Sequence, residues 1–230
     1  MVAVLRSGGE YRPEHVYRLF DQVCAHAQHP VMFHCLTDME VESTTGLEVI
    51  PLRHGWPGWW SMIEMFRVHG PAVYMDLDTT IVGDISFLAD EVMCLADTDF
   101  LLLRQWSSKR LDTGVTAWGG NFEWLTDQFA GIASKSKFTS GRKRGSRMVS
   151  WGAISMGKGH FTTDAEYVQW ALRKRRDVNV SSFQNRLGNE YIESYKLTLN
   201  HGKYKPRGPI VCFHGHPRPW HKGVKLNGDS

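Results

Sequence analysis

The chain has 230 residues, 42% of them hydrophobic and 12% aromatic, with a formal charge of +3; this is enough apolar material for one domain with a substantial core, and too mild a charge to call for nucleic acid. No run reaches the ~18 apolar residues of a membrane span, and Met1-Val2-Ala3-Val4-Leu5-Arg6 is too short for a signal peptide. Cys24, Cys35, Cys94 and Cys212 are scattered with no Cys-x-x-Cys, which argues against a zinc ribbon or a disulfide framework and for a reduced, cytoplasmic setting.

Val2 to Leu5 is a short apolar run that ends in Arg6-Ser7-Gly8-Gly9-Glu10, a strand followed by a flexible turn. Pro13-Glu14 then opens a helix, with Val16, Leu19, Phe20, Val23 and Ala27 at helical spacing. A second strand, Val31 to Leu36, ends in Thr37-Asp38 and completes a βαβ unit, whose usual work is to bind a nucleotide at the end of its first strand. Leu47 to Leu52 reads as a third strand. The loop from His54 to Trp60 carries three Trp in five residues, either a stacking platform for a sugar or base or a plug for the sheet's edge. A helix is expected over Ser61 to Val68.

Ala72-Val73-Tyr74-Met75 is a continuous apolar run of the kind found in buried parallel strands, and it leads straight into Asp76-Leu77-Asp78. Ligands of open α/β sheets sit outside the carboxyl ends of such strands. Two carboxylates one residue apart repel each other, so a cation is the natural third party, and oxygen ligands suit Mg or Mn. The alternative is a turn whose Asp side chains bond their own backbone.

Beyond it, Ile85 to Leu95 reads as a helix and Phe100 to Arg104 as a buried strand. Asp112-Thr113-Gly114-Val115 leads into Thr116-Ala117-Trp118, and Asn121 caps a helix to about Ile132. Ser134 to Arg147 holds six basic residues and no acid, a solvated surface loop or else a lid over an anionic ligand. Thr163 and Glu166 have capping-box spacing ahead of a helix through Leu172. Val178 to Phe183 reads as an edge strand, and Ile210-Val211-Cys212-Phe213 as a last apolar strand running into His214-Gly215-His216-Pro217-Arg218-Pro219-Trp220.

Two of these segments, Val73 to Asp84 and Ile210 to Trp220, resemble the nucleotide-sugar glycosyltransferases of the GT-A fold, most closely the glycogenin and bacterial galactosyltransferase group (family 8). That group carries Asp-x-Asp after an apolar strand and ends its catalytic domain with a strand, a Gly and a basic residue before Pro-Trp. The resemblance implies a Rossmann-like α/β domain with a mixed, mostly parallel sheet flanked by helices, a single unit over 1–230. Within it, 1–84 would be the nucleotide-binding half, 85–222 the sugar and acceptor half, 134–147 a basic surface loop and 223–230 a tail.

It also implies site residues. Arg6, Ser7 and Tyr11 match positions beside the donor's base and ribose, although Gly8 stands where an acidic residue is often found. Asp76, Leu77 and Asp78 match the diphosphate- and metal-binding turn. Gly114 lies in the segment beside the donor sugar, with Asp112 in place of an Asn. Asp164 matches the acid that reaches the sugar's hydroxyls; its simpler role is to favour the helix dipole. Gly215 and Arg218 match donors to the diphosphate. The family's third metal ligand, a His, aligns with Cys212, and His214, one step along the same strand face, is the imidazole able to stand in for it beside Asp76 and Asp78.

The function this implies is transfer of a sugar from a nucleotide-sugar, a UDP-sugar, to an acceptor that is a glycan, a lipid-linked sugar or a protein. It would depend on Mn or Mg and retain anomeric configuration, with no nucleic acid partner and no transmembrane segment. Two alternatives stand beside it. Asp76-Leu77-Asp78-Thr79-Thr80 also satisfies the Asp-x-Asp-x-Thr signature of haloacid-dehalogenase-type phosphatases, in which Asp76 would be a nucleophile. A non-catalytic relative that only binds a nucleotide-sugar is the other.

Overall fold

The computed structural model describes residues 1–138, 143–144, 147–148, 153–156 and 159–226. Its strands in chain order are β1 (Val2–Leu5), β2 (Phe33–Thr37), β3 (Leu47–Pro51), β4 (Ala72–Met75), β5 (Thr79–Ile81), β6 (Asp99–Arg104), β7 (Leu111–Trp118), β8 (Lys143–Arg144), β9 (Arg147–Met148), β10 (Ile154–Met156), β11 (Gly159–Phe161), β12 (Asn179–Ser182), β13 (Ile192–Ser194) and β14 (Ile210–Cys212). The helices are α1 (Pro13–His26), α2 (Ser86–Met93), α3 (Glu123–Ala133), α4 (Asp164–Leu172) and α5 (Phe183–Leu187), with a 3-10 helix at Gly58–Arg67.

A seven-stranded sheet runs in the order β12-β6-β7-β4-β1-β2-β3. β1 pairs in parallel with β2 and β4, β2 with β3 and β12 with β6, while β7 runs antiparallel to both β4 and β6. The sheet is therefore mixed and mostly parallel, as expected, and it takes strands from both sides of residue 84. Continuous apolar runs are explained by burial on two faces. Ala3, Leu5, Val73 and Met75 pack with α1 on one side, while Val2, Val4, Ala72 and Tyr74 pack with the 3-10 helix, α3 and α4 on the other.

Several boundaries differ from the sequence reading. The 3-10 helix begins at Gly58 rather than Ser61, so two of the three tryptophans expected in a loop lie inside it. Trp56 and Trp60 are buried, both ringed by Phe129 at centroid distances of 4.7 and 5.3 Å. They fill the core beneath the sheet rather than offering a stacking platform, because their apolar area is worth more there than in water. Asp112 to Val115 lies in the first half of β7, and the register slips between Leu102 and Leu103 opposite it. Asn121 accepts the Glu123 N–H at 2.9 Å and so caps α3 from one place before its first turn.

A smaller sheet, β13-β14-β5, places β14 against the end of the Asp-Leu-Asp turn, with Cys212 opposite Thr79. β12 is an edge strand, as expected. Of the basic segment 134–147, residues 139–142 and 145–146 lie outside the described residues, as do 227–230 of the tail; 143–144 and 147–148 form a short backbone hairpin.

Candidate active site

In a sheet ordered β3-β2-β1-β4, the crossover direction reverses between β1 and β4, and a crevice opens there at the strands' carboxyl ends. Arg6 and Ser7 leave β1, and Asp76 leaves β4, on the two sides of that crevice. Asp76 is half-buried and accepts the Tyr74 hydroxyl at 2.7 Å. Asp78 is buried, accepts the Tyr11 hydroxyl and is ion-paired with Arg218. Gly114 passes close by: a Cβ there would sit 3.0 Å from Oδ2 of Asp76, so a side chain at 114 would press that carboxylate aside by a few tenths of an ångström.

Asp112 and Asp164 complete a convergence of four carboxylates. Asp112 accepts Gln105 Nε2 at 2.9 Å and the Gly114 N–H at 3.0 Å. Asp164 is held by the Thr113 hydroxyl at the start of α4. Burial, with Asp78 next in weight and Asp112 and Asp164 behind, pushes Asp76 well above the usual carboxylate range. Burial raises Asp78 to about 6, with the Arg218 and Arg18 guanidiniums and the Tyr11 hydroxyl acting against it. Burial raises Asp164 to about 7, and Asp112 adds to the rise. Carboxylates crowded together out of water hold protons unless a cation replaces them. The donor set of Asp76 and Asp78, all hard oxygen, fits Mg or Mn.

His214 does not complete a three-ligand cluster with these two. Among the described residues, only Glu10, His216 and His221 bring three such ligand atoms within 4.8 Å of one another. His214 is exposed, with its ring 4.7 Å from that of Trp106, and Asp112 and Lys196 are the charges that act on it. Cys212 is buried beside the turn, and burial, reinforced by Asp78 and Asp76, pushes its thiol up. Gly215 has φ +68, a left-handed backbone that favours glycine. Leu77 points its side chain into the core, so only its main chain borders the crevice.

Three residues not singled out from the sequence help to build the site. Arg18 on α1 donates to the Leu77 and Thr79 carbonyls at 2.6 and 2.8 Å and to Thr80 Oγ1 at 3.2 Å, clamping the Asp-Leu-Asp turn from below. Burial lowers Arg18 to about 10, so it remains a cation at neutral pH. Asp38, at the end of β2, accepts Arg6 Nη1 at 2.7 Å, the Ser7 N–H at 2.8 Å and the Ser7 hydroxyl. Burial acts to raise Asp38, but the Ser7 bonds and the Arg6 charge outweigh it and leave the carboxyl below its ordinary range. Glu10 accepts Arg218 Nε at 2.6 Å. Asp38 had a legible signal, a strand-end acid at the close of the βαβ unit; Arg18 and Glu10 had none, because their partners lie 59 to 208 residues away.

No family model matches this sequence, and no curated protein matches it. Solved structures do. The chain superposes on the glycosyltransferase GlyE of Streptococcus pneumoniae TIGR4 with a TM-score of 0.57 at 12% identity, over 98% of this chain and 57% of that one. It matches the galactosyltransferase LgtC, solved with donor and acceptor sugar analogues, with a TM-score of 0.56 at 10% identity, over 99% of this chain and 92% of that one. It also matches the bifunctional glycosyltransferase WbbM, with a TM-score of 0.56 at 10% identity, over 96% of this chain and 46% of that one. The chain thus spans little more than half of GlyE and nearly all of LgtC, and the likeness is one of fold: a GT-A, Rossmann-like architecture.

Proposed function

We propose that this protein is a metal-dependent glycosyltransferase that takes a sugar from a nucleoside-diphosphate sugar, with UDP as the nucleotide. The observation that carries the reading is the pair Asp76 and Asp78 at the reversal between β1 and β4, faced by Arg218 from the far end of the chain. A divalent cation held by the two carboxylates supplies Lewis acidity toward a diphosphate. Arg218, which pairs with Asp78 here, would be the residue to turn toward a diphosphate if a cation took its place on that carboxylate; its planar fork suits phosphate. Gly215 offers its N–H to the same diphosphate.

At the neighbouring ends of β1 and β2, Ser7 and Asp38 offer a hydroxyl and a carboxylate to a ribose or base, and the Tyr11 hydroxyl reaches Asp78. On the other side, Asp112 and Asp164 face the position of the transferred sugar, where carboxylates accept from hydroxyls and favour a positively charged sugar transition state. Resemblance to the glycogenin group supports retention of configuration. The acceptor is a hydroxyl-bearing glycan, lipid-linked sugar or protein.

Thermal unfolding with a panel of nucleoside diphosphates, with and without Mn, tests this. Stabilisation by UDP that requires the metal is expected, together with slow release of UDP from a UDP-sugar. At about 100 times Kd the binding free energy adds about 2.7 kcal/mol to stability, which is several degrees in Tm. Equal response to all nucleotides without metal, or none to any, would remove the reading.

A further inference from the structure

The carboxylates of Asp76 and Asp78 are not the only groups arranged for a cation. Glu10, in the loop after β1, faces His216 and His221 from the segment after β14, and the three bring ligand atoms within 4.8 Å of one another. The arrangement is ordered. The two imidazoles lie parallel, 11° between planes at 5.2 Å, and Oε2 of Glu10 is 3.9 Å from His216 Nε2. Arg218 sits between them and fixes both sides: its Nε donates to Oε1 of Glu10 at 2.6 Å, and its main-chain N–H donates to His221 Nδ1 at 3.1 Å. Those bonds leave Oε2 of Glu10 and Nε2 of His221 on the side away from Arg218's contacts. Because its Nδ1 accepts that backbone N–H, the neutral His221 ring carries its proton on Nε2, and ligation through Nε2 moves the proton to Nδ1 and opens the Arg218 bond.

We propose that Glu10, His216 and His221 form a second metal site, selective for Zn2+-class ions, that ties the segment after β14 to the loop after β1. Two imidazoles and one carboxylate are a Zn2+ donor set with a fourth position open to water. Imidazole selects Zn2+ over Mg2+, whereas the all-oxygen pair Asp76 and Asp78 selects the reverse, so the two sites sort their ions by ligand chemistry. Tetrahedral Zn2+ spaces its ligand atoms by about 3.3 Å, so closure asks the three side chains to draw in by about an ångström. His216, 53% exposed at the side chain, has room to do so, and Glu10, 35% exposed, does so while keeping Oε1 on Arg218. The site is a clip: the segment it holds includes Arg218, which reaches Asp78, and Trp220, which stacks on His15 at 3.7 Å.

Zn2+ titration by calorimetry, with Co2+ absorption as a spectroscopic check, tests the site in millimolar Mg2+, which saturates hard-oxygen ligands. The proteins are the wild type, Asp76→Asn/Asp78→Asn, Glu10→Gln and His216→Ala/His221→Ala. One equivalent of Zn2+ is expected in the wild type and undiminished in the double Asn protein. It should be weakened by about tenfold or more in Glu10→Gln and absent in the double Ala protein. Glu10 and His216 are exposed and His221 is half-buried, and Glu10 and His221 also bond Arg218; each variant is therefore checked for cooperative unfolding without metal, and loss of Zn2+ binding in a variant that still unfolds cooperatively reads as loss of ligands. The proposal is overturned if the wild type binds no Zn2+ equivalent, if the double Ala protein keeps it, or if the double Asn protein loses it.

Discussion

Asp164 shows how a single buried acid reports its surroundings. It is 7% exposed, and burial, reinforced by Asp112, raises it to about 7 despite the Thr113 hydroxyl bond. Its folded value lies above its unfolded one, so between pH ~4 and ~7 the folded protein holds a proton that the unfolded chain has shed. Stability then falls as pH rises through that window, by at most about 1.4 kcal/mol per pH unit for this one group. Asn at 164 keeps an acceptor for Thr113 and carries no charge. In chelator, Tm of the wild type should decline from pH 4.5 to 7.5, whereas Asp164→Asn should decline less and be the more stable protein at the upper end. Parallel curves for the two proteins would mean that Asp164 is already ionised at low pH in the folded state.

At the scale of elements, apolar runs were the reliable guide. β1, β4, β6 and β14 were legible because burial on both faces demands unbroken apolar sequence, and α1 and α4 because their starts carry Pro13 and Thr163. β5 (Thr79–Ile81) and β13 (Ile192–Ser194) carry polar residues at two of three positions and so show no apolar run, unlike β14 of the same length, and β7 hid behind a polar start. The 3-10 helix lies where a helix was expected but starts three residues earlier, and what fixes it is one buried acid. Glu64 is fully buried, accepts the Arg53 and His54 N–H groups at 2.7 and 2.8 Å and pairs with Arg67 at 2.7 Å. It ties the end of β3 to the helix that carries Trp60, and its role depends on contacts three to eleven residues away in a non-repeating geometry. Removing it strands two N–H groups and a guanidinium, so Glu64→Ala should cost about 3 kcal/mol in urea unfolding. Glu64→Gln, which keeps one acceptor, should recover part of that. A cost under 1 kcal/mol for the Ala variant would show that solvent replaces the carboxylate there.

Across the whole molecule, the first 84 residues and the last twenty described ones meet at Arg218. Recognition of the strand-Gly-basic-Pro-Trp order placed this residue near the Asp-Leu-Asp turn, but not its partners. The guanidinium is shared between Asp78 and Glu10, with Tyr11 beneath it at 5.0 Å. With side-chain exposures of 14% and 5%, Arg218 and Asp78 form a largely buried pair, and loss of one partner leaves the other's charge uncompensated. Arg218→Ala should therefore cost about 3 kcal/mol near neutral pH. The cost should shrink at pH 5, because an unpaired Asp78 rises above its present value of about 6 and takes up a proton instead. Asp78→Asn in the same background removes the stranded charge and should restore most of the loss, a non-additivity that only direct coupling produces. The same guanidinium stands where a divalent cation would contact Asp78, so Mn should raise Tm more in Arg218→Ala than in the wild type, in which the metal must first displace a charge already in place. Equal Mn shifts in the two proteins would mean that metal and arginine do not compete for this carboxylate, and that Arg218 serves only to hold the chain's two ends together.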